Sequence, residues 1–198
     1  MIEVRTFVAS DVTPHLDAVA ALRIAVFRDW PYLYDGDADY EQRYLATYAQ
    51  SARSLFVLAF DGARVVGAST AIPLEDEMES IRAPFAARGW DESDVFYFGE
   101  SVLLHDYRGR GLGHRFFDER EAHARRFGGF KATSFCSVQR RADDPRCPSA
   151  YRPNDAFWRK RGYAPLPGFQ CEIEWPEVGS SASIPHALQF WARALEST

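Results

Sequence analysis

Phe98-Gly-Glu-Ser-Val-Leu-Leu-His-Asp-Tyr-Arg-Gly-Arg-Gly-Leu-Gly-His114 decides how the rest of the chain is read. An apolar run ends in a turn that carries Gly109, Gly111 and Gly113 beside Arg108 and Arg110, and a helical pattern starts directly after it. Where a strand passes into a helix through glycines, the first amides of the helix have no carbonyl to donate to and point outward. The aligned peptide dipoles place roughly half a positive charge at the same end. Such a turn suits anions, phosphate and pyrophosphate above all, and the two arginines add donors and charge there.

Three patterns compete for it. A dinucleotide turn needs G-x-G-x-x-G. Its third glycine is missing here, with His114 in that place counting from Gly109 and Phe116 counting from Gly111. A nucleotide P-loop needs a Lys-Ser/Thr pair, and none follows these glycines. The pattern Arg/Gln-x-x-Gly-x-Gly/Ala is matched without a gap by Arg108-Gly109-Arg110-Gly111-Leu112-Gly113. In this the chain resembles the GNAT superfamily of acyl-CoA-dependent N-acyltransferases, whose strand–loop–helix cradles the coenzyme A pyrophosphate. A basic, glycine-capped connection with no ligand is the plainer reading of the same residues.

The 198 residues suit one domain over 1–198, long enough to bury roughly 70 % of the surface its unfolded chain exposes. The net charge of −5 argues against a nucleic-acid partner, whose electrostatic footprint is basic. Cys136, Cys147 and Cys171 show no C-x-x-C spacing, so neither a disulfide framework nor a metal site is expected. The start of the chain carries no signal-peptide pattern and no apolar run reaches about 18 residues, which gives the expectation of a soluble cytoplasmic protein with no membrane partner.

Ile2 to Val8 reads as a strand, and Thr13-Pro14 as the start of a helix reaching Arg28. A loop from Asp29 to Asp37 precedes a second helix over 38–48. Leu55 to Phe60 and Arg64 to Ile72 form a hairpin around Asp61-Gly62. Residues 74–92 are an acidic, helix-like insertion. Val95 to Leu104 is the strand before the central turn, and Leu112, Phe116, Ala124 and Phe127 mark a helix ended by Gly128-Gly129. Lys131 to Val138 is a strand, Asn154 to Arg161 a short helix with Asn154 as its cap, and Phe169 to Trp175 a last strand. Ile184, Leu188, Trp191 and Leu195 fall at helical spacing and give a C-terminal helix over 184–198. A homodimer contact through that helix is one reading of its role.

The resemblance covers roughly residues 2–176 and is sharpest at Glu100–Gly113 and Asn154–Tyr163. It implies an α/β fold of mixed α+β type, a twisted, mostly antiparallel mixed sheet with splayed strands and flanking helices. It also implies acetyl-CoA as co-substrate, an amine acceptor and no metal. Carried over residue by residue, main-chain groups of Val102 and Leu103 would pair with the pantetheine arm, and amides from Gly109 to His114 with the pyrophosphate. Asn154 falls in the second matching stretch, beside the coenzyme.

Acyl transfer to an ammonium needs a base. Glu100 interrupts an apolar strand near the splay, where desolvation would raise its pKa into a useful range; alternatively it ion-pairs with a neighbouring arginine. Family members often carry a tyrosine as general acid in the short helix, where this chain has Trp158. Tyr151 is the nearest phenol that could substitute, although both aromatics could simply pack around the coenzyme arm. Tyr32, Tyr34 and Asp35 in the early loop would suit an amine-bearing acceptor, a small molecule or a peptide, or else fill core. Arg140, Arg141, Arg146 and Arg152 could bind phosphate or carboxylate, or pair with aspartates of their own loop. The absent tyrosine also leaves open a catalytically silent acyl-CoA-binding module.

Overall fold

The computed structural model describes residues 1–196. Seven strands form one sheet: β1 (Ile2–Val8), β2 (Leu55–Asp61), β3 (Arg64–Pro73), β4 (Val95–Leu103), β5 (Ala132–Val138), β6 (Ala164–Pro176) and β7 (Ser183–Ala194), in the order β1-β2-β3-β4-β5-β7-β6. All neighbours are antiparallel except β4 and β5. The expected mixed, mostly antiparallel sheet with flanking helices is what the chain builds.

Side-chain alternation divides the sheet into two faces. Phe56, Leu58 and Phe60 of β2 join the larger core, beneath α1 (Leu16–Phe27), α2 (Ala38–Gln50) and α3 (Glu79–Ala86). Leu55, Val57 and Ala59 face the opposite way, onto Leu112 and Phe116 of α4 (Leu112–Phe127). Further along, Phe96 and Phe98 meet Phe117 of α4, while Phe157 and Trp158 of α5 (Asp155–Lys160) pack against the same cluster. With both faces covered, β2 is buried at every position but Asp61.

Two expectations at the ends are corrected. Residues 183–194 are not a helix but strand β7, hydrogen-bonded between β5 and β6. The end of the expected helix, residues 197–198, lies outside the described residues. Near the start, Thr13-Pro14 falls inside a 3-10 turn over Ala9–His15, and α1 begins after it at Leu16. The hairpin turn falls one residue later than expected, since Asp61 pairs with Arg64 and leaves Gly62-Ala63 at the tip.

Two irregularities in β4 shape the site. Its parallel pairing with β5 covers only Val95–Tyr97, after which the two strands separate. The register against β3 slips between Ser69↔Ser101 and Ala71↔Phe98, which leaves an extra residue in β4 at Gly99-Glu100. A bulge of this kind reverses side-chain parity: Phe98 faces α4, whereas Glu100 turns to the α1–α2 face. Gly99 is required there, because a Cβ would collide with the Tyr48 hydroxyl and sit 2.6 Å from Thr70 Oγ1.

Candidate active site

The turn from β4 to α4 has the form its glycines implied. Gly109 and Gly111 adopt left-handed backbone, φ 74° and 82°, which other residues reach only at a cost of about 1–2 kcal/mol. Arg108 Nε donates to the Leu103 carbonyl at 3.1 Å and Arg110 Nη2 to the Asp106 carbonyl at 2.9 Å, which draws both side chains back over the turn. Among the described residues no acceptor within the chain is found for the amides of Gly109 through His114, and the first helical bond is Arg115 N to Gly111 O. These donors stand at the positive end of a 16-residue helix. His114 stacks edge-on against Phe157 at 4.9 Å.

Beyond the seam with β5, β4 presents main-chain groups to an open gap. The Leu104 amide donates to Val66 at 3.0 Å, and antiparallel pairing alternates direction. Val102 therefore turns its main chain toward β3, and Ser101 and Leu103 turn theirs into the gap. Val102, expected to pair with the pantetheine arm together with Leu103, stands opposite Ala68 of β3. Arg120, 1 % exposed, braces the bulge from α4. Its Nη1 donates to the carbonyls of Glu100 at 3.1 Å and Thr70 at 3.3 Å, and Nη2 to Ser101 Oγ at 2.9 Å. Burial pulls its pKa down to about 10, so it stays charged at neutral pH.

On the α1–α2 face the gap adjoins a cavity of about 430 Å³ walled by Phe27, Tyr32, Tyr44, Tyr97 and Trp175. Three buried carboxylates line it: Glu41, Glu77 and Glu100, at 0 %, 6 % and 8 % exposure. Arg23 is the cation among its described lining residues. Its Nε meets Glu41 Oε2 and its Nη1 meets Glu100 Oε2 at 2.5 Å, while the guanidinium lies 4.4 Å over the Tyr44 ring. Glu100 is thus not a lone desolvated carboxylate but one end of a buried arginine-linked pair. Among the described residues Glu77 makes no ion pair: the Tyr48 hydroxyl donates to Oε1 and the Met78 amide to Oε2 at 2.7 Å. Burial raises its pKa, against the lowering effect of those two donors. Tyr44 joins the two ends, its hydroxyl 3.0 Å from that of Tyr48 and 3.5 Å from Glu100 Oε2.

Residues 20–148, which include α2, the β2–β3 hairpin, β4, the glycine turn and β5, match the family model described as the acetyltransferase (GNAT) family. The chain belongs to the GNAT family. As a GNAT protein it is an acyl-CoA-dependent N-acetyltransferase by class. Solved structures share its fold: an N-acetyltransferase from Staphylococcus aureus Mu50 (TM-score 0.61, 11 % identity, 98 % of this chain and 99 % of that one) and Arabidopsis thaliana NAA60 with a bisubstrate analogue (0.62, 9 %, 99 % and 100 %). A third is yncA from Salmonella typhimurium, solved with its cofactor acetyl-CoA (0.56, 13 %, 98 % and 95 %). The comparison with curated proteins finds no sequence match.

The other residues singled out in this GNAT sequence are placed unevenly. Tyr32, Tyr34 and Asp35 line the cavity wall, with Asp35 paired to Arg28 at 2.9 Å and Asp37 capping α2 through the Tyr40 amide. Tyr151 stands apart from that lining, edge-on to Trp30 at 6.2 Å, and burial raises its pKa. Trp158 packs between Phe135 and Trp191. Asn154 stands at the cap position of α5 but its side chain makes no capping bond. The arginine-rich loop is largely self-satisfied: Arg141 pairs with Asp143 and Arg146 with Asp144. Arg140 and Arg146 both reach Glu177, and Arg140 also donates to the carbonyls of Pro31 and Tyr32. Cys136 lines the cavity with its Sγ 3.0 Å from the Tyr97 hydroxyl. Arg23, Glu41 and Glu77 carry no sequence signal of a site, because in a linear reading each passes for a solvated charge. Among the described residues no cluster of His, Cys, Asp and Glu could hold a metal ion, and no helix is long and apolar enough to cross a membrane.

Proposed function

We propose that this chain transfers the acetyl group of acetyl-CoA to a primary amine, on a small molecule or the end of a peptide, by direct attack. The observation that carries the reading is the run of unbonded amides from Gly109 to His114 at the mouth of a gap that adjoins an acid-lined aromatic cavity. The amides would take the pyrophosphate, and Ser101 and Leu103 the pantetheine arm. The Leu103 N–H would polarise the thioester carbonyl, a stabilisation that matters most as charge develops on that oxygen. The three buried carboxylates, with Asp35, Asp37 and Glu174 also on the lining, outnumber Arg23 and leave the cavity with surplus negative charge, which favours a cationic acceptor, and its aromatic walls suit an ammonium on an apolar stem. Tyr32, Tyr34 and Asp35 would form the acceptor's wall.

Thiol release from acetyl-CoA, followed over tyramine, spermidine and a short peptide with a free amino terminus, tests the reading. Turnover with at least one amine, together with calorimetric binding of acetyl-CoA, is the expected result. Binding without turnover across a wide panel would count against it, as would no binding at all.

A further inference from the structure

Glu41 and Glu100 share one guanidinium, and protonating either would break an ion pair. Glu77 is held differently, by a phenol hydroxyl on one oxygen and a main-chain amide on the other. It can take up a proton without losing a cation. Its Tyr48 partner lies against the main chain of Gly99, so the Glu77–Tyr48 unit abuts the bulge next to Glu100 and the opening of the gap. Glu77 also lines a second depression of about 300 Å³, together with Arg43, Thr47 and Asp76. Glu77 therefore lines both the cavity proposed for the acceptor and this outer groove.

Resting on the amine-acetylation reading, we propose that Glu77 is the general base that deprotonates the acceptor, and that the outer groove returns its proton to solvent. In this step an N–H bond of the acceptor's ammonium breaks and its proton bonds to the Glu77 carboxylate, leaving a neutral amine and a neutral carboxylic acid. The nitrogen lone pair then forms the C–N bond to the acetyl carbon while the C–S bond breaks. Sulfur leaves with the electron pair, and the second proton shed by nitrogen neutralises the thiolate. Glu77 afterwards discharges through the groove while product still fills the cavity. Glu100 keeps its pair with Arg23 throughout.

The charged and titratable groups around Glu77 are Tyr40, Arg43, Tyr44 and Tyr48 from α2, Tyr97 and Glu100 from β4, Cys136 from β5, Arg23 from α1 and Asp76 from its own segment. Burial places its pKa above that of an ordinary glutamate, which suits a base working toward neutral pH.

The test is the pH dependence of kcat/KM for acetyl-CoA with the panel amine turned over fastest. Glu77→Gln is expected to lose roughly 10²-fold near neutral pH and to regain rate as pH rises and the amine deprotonates unaided. Tyr48→Phe, which removes a donor to the carboxylate, should move the acid limb to higher pH and keep the alkaline rate. Calorimetric affinity for acetyl-CoA should not change in either variant. A Glu77→Gln profile that superimposes on wild type would overturn the base, as would recovery at high pH in Glu100→Gln alone. An acid limb left in place by Tyr48→Phe would do the same. Absence of thiol release from the wild-type chain with every amine would instead remove the acetylation reading on which the base rests.

Discussion

Arg23 holds two buried carboxylates on the cavity wall, and breaking a buried pair from one side strands the other. Arg23→Ala leaves Glu41 and Glu100 buried without their cation and should cost about 3–5 kcal/mol of stability, read by urea unfolding. Glu77 has the opposite balance. Its folded pKa lies above the unfolded value, so between the two the folded state binds more protons and stability falls as pH rises. Glu77→Gln removes that dependence. Wild type should lose ground to the variant as pH climbs through the window above 4.5, and chemical denaturation at acid and neutral pH would show the sign. At the turn, Gly111→Ala meets no atom within 4 Å but must keep φ at 82°. It should lose about 1–2 kcal/mol and bind acetyl-CoA more weakly by calorimetry. Those glycines were legible because φ > 0 leaves a sequence trace. Arg23, Glu41 and Glu77 were not, since residue type does not say whether a charge is solvated or paired in the interior.

The elements show where periodicity decides and where it misleads. The glycine turn, α4 and the hairpin follow from local signals, and the structure keeps them. Strand β7 does not, because Ile184, Leu188, Trp191 and Leu195 satisfy helical spacing while His186, Leu188 and Phe190 alternate into the core. A strand covered on both faces has apolar residues in both phases, and the two periods cannot then be told apart. The consequence for truncation is large. β7 is the neighbour that ties β6 to the sheet, so a chain ending at residue 182 should lose cooperative urea unfolding rather than a dispensable appendage. A bulge in β4 at Glu100 could be raised from the sequence but not fixed, and it sends Glu100 to the cavity face and Phe98 to the other. The insertion over 74–92, whose role the sequence left blank, brings Glu77, Met78 and Ile81 to the cavity.

Across the whole molecule the sheet falls into two blocks, β1–β4 and β5–β7, joined by ladder bonds only over Val95–Tyr97. Elsewhere the blocks are tied from outside. Glu121 of α4 gathers Arg161 from beyond α5 and Arg193 of β7, and Arg140 and Glu177 bind the loop around Tyr32 to the end of β6. A ligand lying along Ser101 and the Leu103 amide would supply bonds that the chain itself does not make, the Leu103 carbonyl already accepting from Arg108. Acetyl-CoA should therefore raise the melting temperature, with about 2.7 kcal/mol gained at a hundred times its Kd, and slow amide exchange at Leu103.

Two panels fastened along so short a seam have the build of a clothes-peg, their other ties lying outside the jaws. On the acetyl-transfer reading, the angle between them would set how far thioester and amine stand apart, whatever the grip on each. Thr133, whose Oγ1 meets the Tyr163 hydroxyl at 2.8 Å, sits at the pivot opposite Phe96. A substitution there could slow transfer while leaving both affinities where they were.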